Sequence, residues 1–559
     1  MFTVTTLLVP LAIPSSTKKT LLTAVWTCRL LVNSSAIATT VLYRTFLSTK
    51  MLTKSLTQAV LNHPQKTAIV YDKSRMSYQE LYAKVRGFSK GLNSIGVGQG
   101  DCVALLLPNC SEFAISFYAI ANLNGIVLTL NYLFKAEEIN YYLDDSNVKT
   151  IITDSKRAEI CLSILSDLGK KVDLIVVDKA SPSTKYFYDL ILPDTEVHES
   201  ALPFEGDVLY QYSSGSTGRP KRVCRSQNNL YCEARDFSET VKLTPLDNIL
   251  CIVPLYHAHG LDNCLLAAIY SGATLVILEQ SLQNGMPVEV PFVFRVTRIL
   301  DLIKTERITI LPGVPYIFNA MAVTPASAEA DLSTLRLCFS AGNFLGKDIF
   351  DKFIHQFGVP VRQLYGCTEA GAICINLDEN AEETWDSVGA PLKNVEVKII
   401  DEQGSELAVG SSGEVVIKSQ ALTNGYYNMP ELNQEVFKDG AFFTGDLGKF
   451  DGAGRLYITG RKKILIDTGG RKVDPIEIED ILITHPKVRE AVVVGVKGSQ
   501  AGEIIKAVIV LKETEECEEK EIFSYCKERL AEFKVPRLVE FRDEIPKSPL
   551  GKILRKALV

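Results

Sequence analysis

Residues 101–131, DCVALLLPNCSEFAISFYAIANLNGIVLTLN, set the narrowest limits on what this chain can fold into. A short apolar run leads into an amphipathic helical stretch near 112–123, and a β-branched run follows near 126–130. That is a strand–helix–strand unit. The alternation recurs in TLVILEQ (274–280) and RITILPGVPYIFNAM (307–321). Units of this kind bury their apolar faces when parallel strands form sheets covered by helices, so an α/β fold is expected. At 559 residues the chain exceeds one ordinary core, and two or more domains are expected. After about Gly460 charges become denser. There VREAVVVGV and EIIKAVIVLKE read as exposed-sheet strands, and EIFSYCKERLAEF reads as a helix with Ile522, Phe523, Cys526 and Leu530 on one face. The parse is a leader at 1–50, a large domain at 51–460 and a small α+β domain at 461–559.

Hydrophobic content of 46% and charged content of 23% are those of a globular protein, and a net charge of −6 gives no general attraction to nucleic acid. The 13 cysteines form no C-x-x-C pair, so neither a zinc site nor a disulfide framework is suggested. The first fifty residues stand apart: no Asp or Glu precedes Asp72, while Lys18, Lys19, Arg29, Arg44 and Lys50 punctuate a Ser/Thr/Leu-rich run. That is the composition of a mitochondrial transit peptide. Pro10, Pro14, the Lys18-Lys19 pair and Arg29 break its apolar stretches below the ~20 residues a membrane span needs, so no transmembrane segment is expected. Met51 also makes a natural start for a cytoplasmic enzyme, and both readings, cytoplasm or mitochondrial matrix, stand.

Five short stretches concentrate polar function. YSSGSTGRPK (212–221) has almost no apolar surface, but its glycines let backbone N–H groups approach phosphate oxygens while hydroxyls and an ammonium complete the cradle. Gly215 and Gly218 are two residues apart, and Arg219 and Pro220 precede Lys221, so this is not the common nucleotidase loop. The others are PLYHAHG (254–260), QLYGCTEAG (363–371), the run from FFTGDLGKF to IDTGGRKVDPIEIE (442–479) and PKSPLGKILRK (546–556). Each alone has a plain explanation as a cap, a turn or a solvated tail.

Together and in this order they resemble the adenylate-forming superfamily, which includes acyl-CoA synthetases, 4-coumarate–CoA ligases, peptide-synthetase adenylation domains and firefly luciferase. The resemblance runs from Met51 to the C-terminus. It implies a large N-terminal domain of parallel sheets flanked by helices, with a β-barrel-like part, and a small mobile C-terminal domain. It also implies ATP, Mg²⁺ and coenzyme A. Ser213, Ser214, Gly215, Ser216, Thr217, Gly218 and Lys221 then grip the polyphosphate, with Thr217 and Glu369 on the metal and Thr368 on the phosphate. Tyr365 offers a face to adenine beside Gly366, Gly342 lets the backbone lie close to the base, and Asp446 receives the ribose diol with Arg461 nearby. Lys552 supplies the cation where carboxylate and α-phosphate meet. A swing about Lys463 then brings Thr468, Gly469 and Gly470 to a pantetheine arm, with His257 beside the acyl carbonyl. His259 reads as a satisfied, partly buried histidine.

The acid is read from the walls. Tyr256, His257 and Ala258 occupy the place where peptide synthetases carry an aspartate, and Asp262 falls several residues on, after a helix has begun, so an amino acid is disfavoured. PLYHAHGLDNCLLAAI, LPGVPYIFNAM and CFSAGNFL are largely apolar and suit a fatty or an aryl acid, the first preferred. Asn343 and Phe344 replace the small residue and proline of many relatives, and a bulky Phe344 is expected to shorten or redirect the tunnel. The expected activity is acid–CoA ligation through an acyl-adenylate. The alternatives are loading of an acyl carrier protein thiol and a non-catalytic binding protein on the same fold. The oligomeric state is left open.

Overall fold

The computed structural model describes residues 52–169, 171–193, 204–213, 220–283, 286–288, 294–324, 331–462, 466–468, 472–473, 475–497, 503–530, 532–547 and 553–559. Two large sheets dominate. One has seven strands in the order Lys185–Tyr186, Asp173–Val176, Thr150–Thr153, Cys102–Leu106, Ile126–Thr129, Asp207–Ser213, Lys221–Ser226, parallel except for the final antiparallel pair. The other has nine. Its middle runs Val361–Cys367, Leu337–Ser340, Ile310–Gly313, Asn248–Cys251, Thr274–Ile277, Thr67–Tyr71, all parallel, with antiparallel strands added at both edges.

The unit at 101–131 forms as the sequence implies, with strands Cys102–Leu106 and Ile126–Thr129 flanking the helix Ser111–Asn122. The helix differs from expectation in one respect: it is buried almost all round rather than on one stripe. Its cluster takes Val103 and Leu105 from one large sheet and Ile249 and Leu250 from the other, so the helix is in a middle layer covered on both sides. Residues from Glu396 on build a separate open antiparallel sheet of five strands, among them Gly413–Lys418, Ala441–Phe450 and Leu456–Arg461.

The small domain holds strands Val488–Lys497, Glu503–Leu511 and Leu538–Phe541 with helices Pro475–Ile483 and Glu519–Arg529. Its two long strands are not exposed-sheet strands. Ala491, Val493, Ile505, Ala507 and Ile509 pack with Ile478, Leu482, Ile522 and Cys526 on one face. Val492, Val494, Val508 and Val510 pack with Ile545 and Leu558 on the other. Continuous Val/Ile runs signal burial on both faces, and the C-terminal segment supplies the second cover. Among the described residues no helix is long and apolar enough to cross a membrane.

Candidate active site

Parallel sheets offer their ligands the edge where the strands end. Four neighbouring strands of the nine-stranded sheet end at Cys251, Gly313, Ser340 and Cys367. The chain beyond them carries His257, Val314, Gly342 and Thr368, so the histidine and nucleotide motifs lie along one edge. From the first strand to the last is three strand spacings, ~14 Å.

Each position has a local cause. His257 caps the short helix Ala258–Gly260, its Nδ1 accepting the His259 N–H at 3.3 Å, and its ring is exposed. Gly342 has φ +85°, a left-handed conformation that glycine adopts without strain, and no neighbour occupies the space where a Cβ would stand. Gly366 follows a register shift against the strand Gly371–Ile375, where a side chain would press on the Gly371 carbonyl. Tyr365 donates its hydroxyl to Asp446 Oδ2 at 2.6 Å, and Arg461 Nε meets Asp446 Oδ1 at 2.9 Å. Burial first, and then Asp446, pushes the Tyr365 phenol well above its ordinary range, so it stays a donor. Asp446 and Arg461 face each other across two antiparallel strands, which fixes the pair by backbone register.

Ser213 and Lys221 are cross-strand partners in the antiparallel pair at the edge of the seven-stranded sheet. The Lys221 ammonium lies 4.9 Å from the Tyr426 ring centroid, and the Tyr426 hydroxyl donates to Glu369 Oε1 at 2.8 Å. Thr423 N–H donates to the Glu369 carbonyl at 2.8 Å. Lys221 and the TEAG turn are thereby joined through one tyrosine that the sequence motifs did not mark. Glu369 is a buried carboxylate with one oxygen oriented by Tyr426, a donor set that suits a hard cation. Ser214, Gly215, Ser216, Thr217, Gly218, Lys463, Gly469, Gly470 and Lys552 lie outside the described residues. Another group of possible ligands, His485, Cys517 and Glu521, is in the small domain, where Lys487 Nζ already pairs with Glu521 at 2.9 Å.

His259 is satisfied: Nε2 lies 3.0 Å from Gly313 O and Nδ1 3.0 Å from Asn263 Nδ2. Burial lowers its pKa to about 4, against about 6.5 for an unfolded histidine. The unfolded chain therefore takes up this proton first, and the stability present above pH ~6.5 is lost as pH falls towards 4, by about 2–3 kcal/mol. A His259→Gln variant is expected to flatten that decline when denaturation midpoints are compared at neutral and acid pH. Asp262 lies in the π-helical turn Leu261–Leu266 and pairs with Arg225 Nη1 at 2.7 Å, so it is not offered to an amino group. Phe344 is 56% exposed and meets the Trp385 ring edge-on at 5.6 Å.

This edge arrangement has relatives. The model of the family described as AMP-binding enzyme matches residues 56–427, two thirds of the chain. The chain belongs to the AMP-binding enzyme family. Residues 477–552 match that family's C-terminal domain. This AMP-binding enzyme is 32% identical over 493 residues to 4-coumarate–CoA ligase 3 of Oryza sativa subsp. japonica, covering 86% of each chain. It is 29% identical to the long-chain-fatty-acid–CoA ligase of Bacillus subtilis, covering 92% of this chain and 95% of that one. Among solved structures, ATP-bound MatB from Rhodopseudomonas palustris superposes with a TM-score of 0.80 at 27% identity, over 91% of this chain and 98% of that one. The adenylate-forming fold and the two-part architecture are thus shared along nearly the whole length of these proteins.

Proposed function

We propose that this AMP-binding enzyme is an AMP-forming acid–thiol ligase that activates a carboxylic acid, by preference a fatty acid, and transfers the acyl group to coenzyme A. One observation carries the reading: His257, Gly342 and the Tyr365–Glu369 turn stand along one strand edge, with the Asp446–Arg461 pair beside Tyr365. The relatives support the acceptor, since both sequence relatives above are named as CoA ligases. They do not choose between fatty and aryl acids. The preference rests on the largely apolar sequence of 254–269, 311–321 and 338–345.

A carboxylate oxygen of the acid attacks the α-phosphorus of ATP, and the bond to the β-phosphate oxygen breaks, releasing pyrophosphate. Both reactants are anions, so cations must stand where they meet. On this reading Lys221, at the end of the glycine-rich stretch, supplies one such cation to the polyphosphate. Glu369, held by Tyr426, is the residue fitted to hold Mg²⁺, which when bound neutralises the departing pyrophosphate. Asp446 keeps its register for a ribose diol through Tyr365 and Arg461. The thiol of coenzyme A then attacks the acyl carbon with loss of its proton, and the bond to the phosphate oxygen breaks, releasing AMP. Exposed His257 stands where that carbonyl is expected. The reaction takes place in the cytoplasm on this reading, or in the mitochondrial matrix if residues 1–50 act as a transit peptide.

ATP–pyrophosphate exchange over a panel of fatty, aryl and amino acids, followed by CoA addition, tests the proposal. Exchange with fatty acids and thioester formation with free CoA are expected. Exchange with amino acids alone, or transfer only to a carrier protein, overturns it. Tyr426→Phe leaves Glu369 without its orienting donor. Losing such a partner typically costs 10–100-fold, so exchange at limiting Mg²⁺ is expected to fall about tenfold. Titrating Mn²⁺ with ATP against both proteins by calorimetry checks whether binding weakens in step.

A further inference from the structure

Three buried ionisable groups that no step above uses lie on elements packed beside the candidate site. Arg225 is fully buried on the strand Lys221–Ser226, four residues beyond Lys221. Its partner Asp262 is equally buried, in the π-helical turn that follows the His257-capped helix. Turns of that kind are frequent at functional sites. Glu233, on the helix Gln227–Thr240, is buried and accepts the Ala372 N–H at 2.8 Å. Its carboxyl lies so close to Gly371 that a Cβ there would overlap it. Arg225 also feels Glu233 and Cys367, the residue before Thr368. Three ionisable side chains thus join the strand Lys221–Ser226, the helix beginning at His257 and the TEAG turn.

Stability alone does not call for them. Arg225 Nε and Nη2 and Asp262 Oδ1 have no hydrogen-bond partner among the described residues. Buried polar atoms left so are costly, and a buried ion pair is often no better than apolar side chains of the same volume. Burial, with Asp262 beside it, pushes the Glu233 carboxyl well above the usual range. What apolar packing does not supply is direction. The Arg225 Nη1–Asp262 hydrogen bond and the Glu233–Ala372 N–H bond fix distance and angle, whereas methyl surfaces slide.

We propose that Arg225, Asp262 and Glu233 form a positioning device that holds the Thr368–Glu369 turn in register with the helix beginning at His257. They touch no substrate. The inference rests on the acid-activating reading of the site, and the test separates the two.

The decisive variants are the double Arg225→Met/Asp262→Leu, which removes both charges and keeps the volume, and the pair Glu233→Leu and Glu233→Gln. A misplacement of ~1 Å costs up to about 10²-fold. The double variant and Glu233→Leu are therefore expected to lose roughly tenfold to 10²-fold in kcat for pyrophosphate exchange, with KM for ATP and acid nearly unchanged. Glu233→Gln keeps a neutral acceptor for Ala372 N–H and is expected to retain most of kcat. Amide hydrogen exchange across 367–372 in the nucleotide-free protein is expected to quicken in the double variant at an unchanged melting temperature. Wild-type kcat in the double variant and Glu233→Leu, unchanged hydrogen exchange, or a kcat loss matched by loss of folded protein overturns the inference. An inactive wild type with quickened hydrogen exchange in the double variant fells the enzymatic reading and supports the positioning role.

Discussion

Lys552→Ala is expected to slow ATP–pyrophosphate exchange by at least ~10²-fold, the scale of losing one preorganised electrostatic contact. The reason is the chemistry: an anion must approach a triphosphate, and bulk water screens the repulsion poorly once the site closes. The chain on both sides of Lys552 is held by its own domain. Ile545 and Leu558 are buried in one cluster, Lys506 Nζ donates to Leu558 O at 2.9 Å, and Arg555 pairs with Glu479. A truncated side chain between such anchors is expected to leave the melting temperature unchanged. Thioester formation from a presynthesised acyl-adenylate is expected to continue near the wild-type rate, because that step needs no approach to triphosphate. Exchange and thioester formation measured on one preparation check both halves. Equal losses in the two would remove the adenylation-specific role given to this lysine.

Arg225→Met alone has the largest expected effect on stability. It leaves Asp262 inside the core with no cation, and breaking one side of a buried pair costs about 3–5 kcal/mol. Glu233 already stands beside Asp262, so the remaining carboxylate faces another acid rather than a cation. It is expected to take up a proton near neutral pH. Stability is therefore lost at higher pH, where Asp262 would have to ionise unpaired, and partly regained in acid. Adding Asp262→Leu is expected to restore most of the loss by removing the stranded charge. Denaturant midpoints of the single and double variants across pH test this directly, and a single variant as stable as wild type would show the pair to be solvated.

How much of this the sequence displays follows from how local each signal is. The strand–helix–strand units are local, and Cys102–Leu106 and Thr274–Ile277 form where their apolar runs lie. The nucleotide motifs are local too, which is why Tyr365 and Asp446 stand out although 81 residues separate them before they hydrogen-bond. The links between motifs are not local. Nothing in the neighbourhood of Tyr426 shows that its hydroxyl reaches Glu369. A signal for Arg225 was present: an arginine in the middle of a core strand and an aspartate in the apolar run LDNCLLAAI each lack a solvated place, and each needs the other. The small domain misled for a related reason. Its strands read as exposed because the C-terminal segment that covers their second face comes some forty residues later, at Ile545 and Leu558.

That second cover has a mechanical meaning. A body that keeps its own interior dry on both faces of its sheet can be detached and reseated at the expense of surface wetting alone, without any part of it melting. The small domain therefore has the build of a rigid body, whose own fold does not depend on what its rim meets.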